Sequence, residues 1–388
     1  MKVLVSQSGM KHSLGLMRHL RRAGHMVTGI SSGEGWRNRA RWSWYTSETV
    51  VANQKCGAAW LAEMKLLLKD REHPIYIPVG FPVNEYASRF TEELRPLCGL
   101  AVPSLEAFEL ARDKLKMAET ALRLGVGTPH TLGVKSRNEA TKLAATLNYP
   151  AVIKGRFETG GQRILAVVHS PGEFTTEYQR LCDTFCLGDH ELPIIQEFIP
   201  GTGWGFFAFY QNGKCRRVFM HRRVREIPAT GGCSTCAESV NDPALEAAGR
   251  RLLDDLNWNG VAMAEFRRDS RDGSYKLMEI NPKFWGSLEL ALASGADFAD
   301  DYVRAACGEE LPERTSSDYR CGVRYSWPFD GDILHGMERP AHLFSVFRDM
   351  LNPFVKKNAW LRDPLPLVHS MLMCGRQIAR KLFGKPSE

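Results

Sequence analysis

Short apolar runs alternate with helical periods from the first residues onward, and that alternation leaves few architectures open. "KVLVSQ" (2–7), a helical stretch 12–23 stopping before Gly24, and "MVTGIS" (26–31) read as strand, helix, strand. Leu14, Leu16, Met17 and Leu20 supply the buried face of that helix. "TVVAN" (49–53), an amphipathic helix near 57–69 and "IYIPVG" (75–80) continue the pattern. Alternating strands and helices predict an α/β unit, a parallel sheet with helices on both faces, over residues 1–110. Its topology is Rossmann-like, but G-x-G-x-x-G is missing, so no dinucleotide site is implied.

A chain of 388 residues exceeds one ordinary core, and further lobes are expected. "LARDKLKMAETALRLGVGTPHT" (110–131) predicts one strong helix with a glycine stop. "YPAVIKGR" (149–156), "ILAVV" (164–168) and "LPIIQEFIPG" (192–201) read as strands, with a glycine turn "FETGGQR" (157–163) and a helix from Pro171 to Leu181. Two hairpins follow, turning at Asn212-Gly213 and Asp272-Gly273. The expected divisions are 1–110, 111–200 with a small lobe, 201–310, and a basic, mostly helical extension 311–388.

No apolar run reaches the roughly 18–20 residues that a membrane span needs. The N-terminus reads as a strand and not as a secretory signal, so a cytoplasmic home is expected. Ten cysteines then read as reduced thiols. Cys182/Cys186 and Cys233/Cys236 have ligand-like spacing, but lack the flanking features of a zinc knuckle. The net charge is +7, and residues 351–388 hold seven Lys/Arg against Asp363 and Glu388. No aromatic-basic motif accompanies them, so no nucleic-acid partner is expected. "PLVHSMLMCGRQIARKLFGK" (366–385) suits either a helix docked on the protein itself or one lying on an anionic membrane.

The second hairpin carries the chemistry. Glu265 sits near the end of "VAMAEF", and Glu279, Asn281 and Lys283 share one face of "LMEINPKF". Arms pairing around Asp272-Gly273 bring Glu265 opposite or nearly opposite Glu279. Carboxylates inside apolar runs are costly unless something positive meets them. A hard divalent cation takes one or two carboxylates plus phosphate oxygens, and an ammonium beyond it suits a phosphate. Lys154, delivered by "PAVI" beside Gly160 and Gly161, is a second phosphate candidate. Gln196, Glu197, Phe198 and Ile199 form an apolar edge fit for a base. His221, Arg223 and Arg225 share a strand face ahead of Gly231-Gly232; the arginines suit carboxylate or phosphate, and His221 reads as structural. "VGFPVNEYAS" (79–88) offers Asn84 or Glu85 to a substrate pocket, and "GWRNRARWSWY" (35–45) is either a further lining or a cover.

In order, "RDKLKMAETALRLGVGTP", "YPAVIKGRFETGGQ", "IIQEFIPG", "GVAMAEF" and "LMEINPKFWGS" resemble the ATP-grasp superfamily over residues 111–310, in its carbamoyl-phosphate-synthase-like flavour. The resemblance implies an ATP-grasp fold behind a Rossmann-like domain, and an ATP-dependent carboxylate–amine ligase working through an acyl phosphate and releasing ADP and phosphate. It implies ATP with Mg²⁺ or Mn²⁺, two ions per site, small-molecule acid and amine substrates, and a homodimer among the assemblies. By position, Lys114 and Lys154 resemble the phosphate cations, Gly160 and Gly161 the lid, and Gln196 to Ile199 the adenine hinge. Glu265, Glu279 and Asn281 resemble the metal ligands. Lys283 stands where the family usually has Arg, which keeps charge but loses the planar fork. "GTGWGFF" (201–207) lacks the acid that many relatives offer the ribose. Arg223, Arg225 or the Gly231-Gly232 amides are the oxyanion donors expected. A carboxyphosphate or carbamate-phosphorylating enzyme, a non-catalytic nucleotide-binding scaffold and a membrane-surface adaptor are the competing readings.

Overall fold

β1 (Lys2–Val5), β2 (Met26–Ser31), β3 (Glu48–Val51) and β4 (Ile75–Ile77) form a parallel sheet in the order β3-β2-β1-β4. The structure, a computed structural model, describes residues 1–383 apart from 32, 34–37, 53–56, 70, 73 and 159–163. α1 (Lys11–Arg22) and α2 (Gly57–Lys69) are the crossovers, and α3 (Phe81–Arg89) and α4 (Thr91–Leu94) follow. Successive strand side chains point to opposite faces. Val3 and Val5 therefore join a core with Leu14, Leu16, Met17 and Leu20 of α1, while Leu4 joins Trp60, Met64 and Leu68 of α2. Both faces are covered by helices, as the alternation predicts.

The single helix expected over 110–131 is two helices, α5 (Leu105–Arg112) and α6 (Lys114–Arg123). Asp113 between them is extended, and its carboxylate accepts from the N–H groups of Leu115 and Lys116. An aspartate that caps a new helix start ends the old helix there. The same carboxylate receives Arg156 from the small lobe, with Nη2 at 2.7 Å.

That lobe consists of β5 (Thr131–Leu132), α7 (Arg137–Leu143), β6 (Ala151–Lys154), β7 (Leu165–Val168), α8 (Pro171–Thr184) and β8 (Ile194–Glu197). Its antiparallel sheet has the order β5-β8-β6-β7. Ala140 of α7 and Phe174, Tyr178 and Leu181 of α8 pack on Ala151, Ile153, Val168 and Ile195.

β9 (Gly201–Gln211), β10 (Lys214–Ile227), β11 (Cys233–Val240), α9 (Pro243–Asp255), β12 (Gly260–Asp269) and β13 (Tyr275–Asn281) build the large lobe. Asn212 and Gly213 have φ of 53° and 73°, as a two-residue hairpin turn requires. α10 (Leu288–Ser294), α11 (Phe298–Ala306), β14 (Arg324–Ser326), α12 (Asp332–Glu338), α13 (Leu343–Leu351), β15 (Lys356–Lys357) and α14 (Pro364–Phe383) complete the chain. The extension is mostly helical, but β14 and β15 also lengthen the large sheet, whose order is β13-β12-β9-β10-β11-β14-β15. Phe207 and Phe209 of β9 face α10, α11 and the first sheet, while Phe206, Ala208 and Tyr210 face α9, α5 and α6. The large sheet is thus held between the N-terminal unit and α9, with its β12–β13 edge against the start of α6.

Candidate active site

Glu265 and Glu279 are direct partners in the antiparallel pairing of β12 and β13. The register then shifts, with Phe266 opposite Leu277, so Met278 is the extra residue of a bulge. Along the same edge Asn281 Nδ2 donates to Glu279 Oε1 at 3.2 Å, and Lys283 Nζ donates to Asn281 Oδ1 at 3.2 Å. The line of acid, amide and ammonium is therefore continuous.

Cations close on it from three elements. Lys154, at the end of β6, places Nζ 3.2 Å from Glu279 Oε2 and donates to the carbonyl of bulged Met278, also at 3.2 Å. Lys114, the first residue of α6, stands 3.8 Å from the same carboxylate oxygen and 3.4 Å from Glu158. Arg223 of β10 lies 2.7 Å from Glu265 Oε2 and donates to the Gly232 carbonyl at 2.7 Å. Gly203 makes room for it, because a Cβ there would stand 2.6 Å from Arg223 Cδ. Burial alone pushes the Glu279 carboxyl up, but the ammoniums of Lys154 and Lys114 and the Asn281 amide hold it far below the usual carboxylate range. Burial lowers the Lys154 pKa, and Glu279 only partly offsets this. Burial also opposes charge on Arg223, yet Glu265 and Glu226 raise it above the ordinary value.

The donor set fits a divalent cation. Two carboxylates and one amide converge, fewer than a closed cage needs, as suits Mg²⁺ finished by phosphate oxygens and water. Among the described residues no group of three or more His, Cys, Asp or Glu is placed to hold a metal. The third protein donor here is an amide, and the two cysteine pairs form no zinc site. Asn281 turns Nδ2 toward Glu279 and Oδ1 toward Lys283, so a shared ion requires its amide to flip.

Other expected residues fall elsewhere. Arg225 does not join the cluster. Its Nε and Nη2 each stand 2.7 Å from Asp332, Nη2 lies 2.8 Å from Asp349, and Nη1 donates to Ser345 at 3.3 Å. All of these partners belong to the extension and none to the acid–amide line, unlike the Glu265 partner of Arg223. His221 is fully buried, with Nε2 2.8 Å from Ser287 Oγ. Asn84 is a brace, donating to the carbonyls of Pro78 and Gly80, and Glu85 pairs with Arg89 and Arg112. On β8, Gln196 is buried and donates to Thr131 Oγ1 at 2.9 Å, while Glu197 meets Arg271 at 2.6 Å. Phe198 is half-buried and Ile199 buried. Gly160 and Gly161 lie outside the described residues. So do residues 35–37 of the 35–45 stretch, in the rest of which Trp42 and Trp44 are exposed.

Sequence reasoning missed Lys11 and His12. Both open α1, just past the C-terminal end of β1, where the strand order turns back to β4 and open α/β sheets bind ligands. Lys11 Nζ lies 4.7 Å from the Trp327 ring centroid and donates to the Ser234 carbonyl at 3.5 Å. Burial, together with the ammoniums of Lys283 and Lys11, pushes His12 down to about 3. The first sheet's crevice thus opens onto the Lys283 end of the acid–amide line. A cavity of about 740 Å³, lined by residues including Asp113, Lys116, Arg156 and His190, is not lined by Glu265, Glu279 or Lys283. The clustered charge, and not that cavity, marks the chemistry.

No family model matches the chain. It is 36% identical over 267 residues to the carbamoyl phosphate synthase large chain of Thermotoga neapolitana, which covers 65% of this chain and 23% of that protein. The chain spans less than half the length of the curated relatives it matches first. Among solved structures, it is similar to the biotin carboxylase domain of Hydrogenobacter thermophilus 2-oxoglutarate carboxylase in complex with MgADP, ADP and bicarbonate. There the TM-score is 0.66 at 16% identity, over 83% of this chain and 73% of that one. It is also similar to an L-amino acid ligase from Bacillus licheniformis, with a TM-score of 0.62 at 14% identity, over 83% of this chain and 78% of that one.

Proposed function

We propose that this chain, which carries the ATP-grasp fold of those relatives, joins a small carboxylic acid to an amine through an acyl phosphate, forming ADP and phosphate. The observation that carries the reading is the facing pair Glu265 and Glu279, continued by Asn281, with Lys154 and Arg223 at ion-pair distance. Glu265, Glu279 and Asn281 would hold Mg²⁺, or Mn²⁺ in its place, as two ions. Bound there, the metal neutralises phosphate oxygens and polarises the transferring phosphoryl group.

The protein's own groups do the rest. Lys154 and Lys114 exchange Glu279 for phosphate oxygens. The segment leaving β8, from Glu197 through Phe198 to Ile199, lies along the adenine. Lys283 and Lys11 hold the acid's carboxylate, one oxygen of which attacks the γ-phosphorus as ADP leaves. The amine's lone pair then attacks the acyl carbon, phosphate departs with its electrons, and the nitrogen sheds a proton. Arg223 stands ready for the tetrahedral oxyanion. His12, neutral at physiological pH, adds no charge to compete with the two ammoniums.

The test is ADP release from Mg-ATP against amino acids and other small acids, each paired with amines, with bicarbonate as a separate arm and Glu279→Gln as control. ADP and phosphate formed only when acid and amine are both present support the ligase. Turnover with bicarbonate alone moves the assignment to carboxyphosphate chemistry, and AMP with pyrophosphate overturns the acyl-phosphate route.

A further inference from the structure

α14 turns an apolar stripe outward, inverting the outer side of a usual surface helix. Such a helix ordinarily turns its apolar stripe inward and its polar side to water. Here the side packed on the protein carries Pro366, His369, Ser370 and Cys374, with Leu367, Met373 and Ile378 half-buried. The exposed side carries Leu365, Val368, Met371, Leu372, Leu382 and Phe383. Leu365, Val368, Met371 and Leu372 are spaced three and four residues apart, and Leu382 and Phe383, ten and eleven residues after Leu372, return to the same side. Polar ties hold the helix in this orientation. Asp363, just before it, accepts from Arg18 Nε at 2.8 Å and Ser43 Oγ at 2.6 Å, and Arg39 donates to Ser370 at 3.2 Å.

α13 repeats the inversion. Phe344, Phe347 and Leu351 are exposed while Val346 and Asp349 are buried. Both helices pack against α12. The connection between them leaves Phe354 86% and Leu361 84% exposed. Trp44, whose backbone N–H is bonded to Asp363 at 3.1 Å, adds an exposed indole near the start of α14. Twelve of the twenty large apolar side chains that stand exposed among the described residues lie between Leu343 and Phe383. That concentration marks an interaction surface.

The charge around it names the partner. Between Arg339 and Phe383 the only acids are Asp349 and Asp363, both buried and both paired with arginines. Arg339, Arg348, Lys356, Arg362, Arg376 and Arg380 are exposed. A second copy presenting the same face would set cation against cation across a two-fold axis. An anionic bilayer complements both the apolar stripe and the basic flanks. No described helix is long and apolar enough to cross a membrane, so contact is along the surface. We propose that the face built by α13 and α14 adsorbs to anionic lipid, with Phe344, Phe347, Leu372 and Phe383 in the headgroup–acyl boundary and the arginines against lipid phosphates.

The experiment is flotation of the full chain with phosphatidylcholine vesicles containing or lacking phosphatidylglycerol. Thermal unfolding and light scattering of each variant accompany it. The full chain floats with the anionic vesicles and stays behind with the neutral ones. Arg376→Glu with Arg380→Glu lowers the partition by about tenfold or more. Leu372→Glu on α14 and, separately, Phe344→Ser on α13 lower it with no loss of thermal stability, because both side chains are already in water. Failure to float with anionic vesicles, or equal flotation by all variants, overturns the proposal. So does a lipid-free dimer that Leu372→Glu takes apart, since the face then belongs to a second copy.

Discussion

Lys154 Nζ rests 3.2 Å from Glu279 Oε2, so an ion pair ties the small lobe to the edge proposed to hold the metal. The phosphates and the metal must divide that pair between them. Glu279→Gln therefore has opposite effects on two measurements. Mg-ATP turnover falls by at least about 100-fold, the size of loss seen when a transition-state electrostatic partner is removed. ADP binding in the presence of a chelator holds or tightens, because the ammoniums of Lys154 and Lys114 no longer have a carboxylate competing for them. Titration calorimetry checks this, and a parallel loss of both would mean that Glu279 only supports the fold.

The proposed reaction puts Lys11 on the substrate side. Lys11→Ala is expected to raise KM for the acid by roughly tenfold, a lost charge-assisted bond being worth about 1.5–3 kcal/mol, while KM for ATP changes little. A rise in both constants would remove Lys11 from the acid subsite. Steady-state kinetics with each substrate varied in turn separate the outcomes.

Arg225 is buried between two aspartates of the extension. Arg225→Ala leaves Asp332 and Asp349 without their shared cation and costs about 3–5 kcal/mol of stability. Urea unfolding measures it. Arg225→Met with Asp349→Leu recovers part of the loss, because an apolar pair carries no unmet charge.

His221 lies between Phe207 and Phe219 and is held down to about 3, chiefly by burial and then by the Arg223 charge. As pH falls below the ordinary value of 6.5, the unfolded chain takes up a proton that the folded chain refuses. Stability is complete above 6.5 and drains as pH drops toward 3, by about 2 kcal/mol for this histidine between pH 7 and pH 5. His221→Gln, which keeps a partner for Ser287, flattens that part of the profile. Urea midpoints at the two pH values test it.

The hairpin was legible because Asp272-Gly273 marks its turn, but the pairing of Glu265 with Glu279 also depends on the bulge at Met278, which no local pattern announces. The motif order that resembles ATP-grasp enzymes was legible for the same reason, since each piece is local, and the fold agrees with it. Asp113 was not. Helical periodicity runs straight through it, and only its contacts with Arg156 and with the α6 backbone reveal a break. Arg225 shares strand parity with Arg223, yet its partner Asp332 lies 107 residues downstream, beyond the reach of any spacing argument. α14 reads as amphipathic from its pattern. The pattern does not say which side is outermost, and that depends on Arg18 and Arg39, which come from the other end of the chain.

β10 carries Arg223 to the acid–amide line and, two positions on, Arg225 into the helical extension. Asp349, at the far end of that second contact, sits on the buried side of α13, whose outer side is greasy. One strand thus joins the Glu265 carboxylate and the inner side of α13 through two guanidiniums two residues apart, so a substitution on either side has a covalently short neighbour on the other.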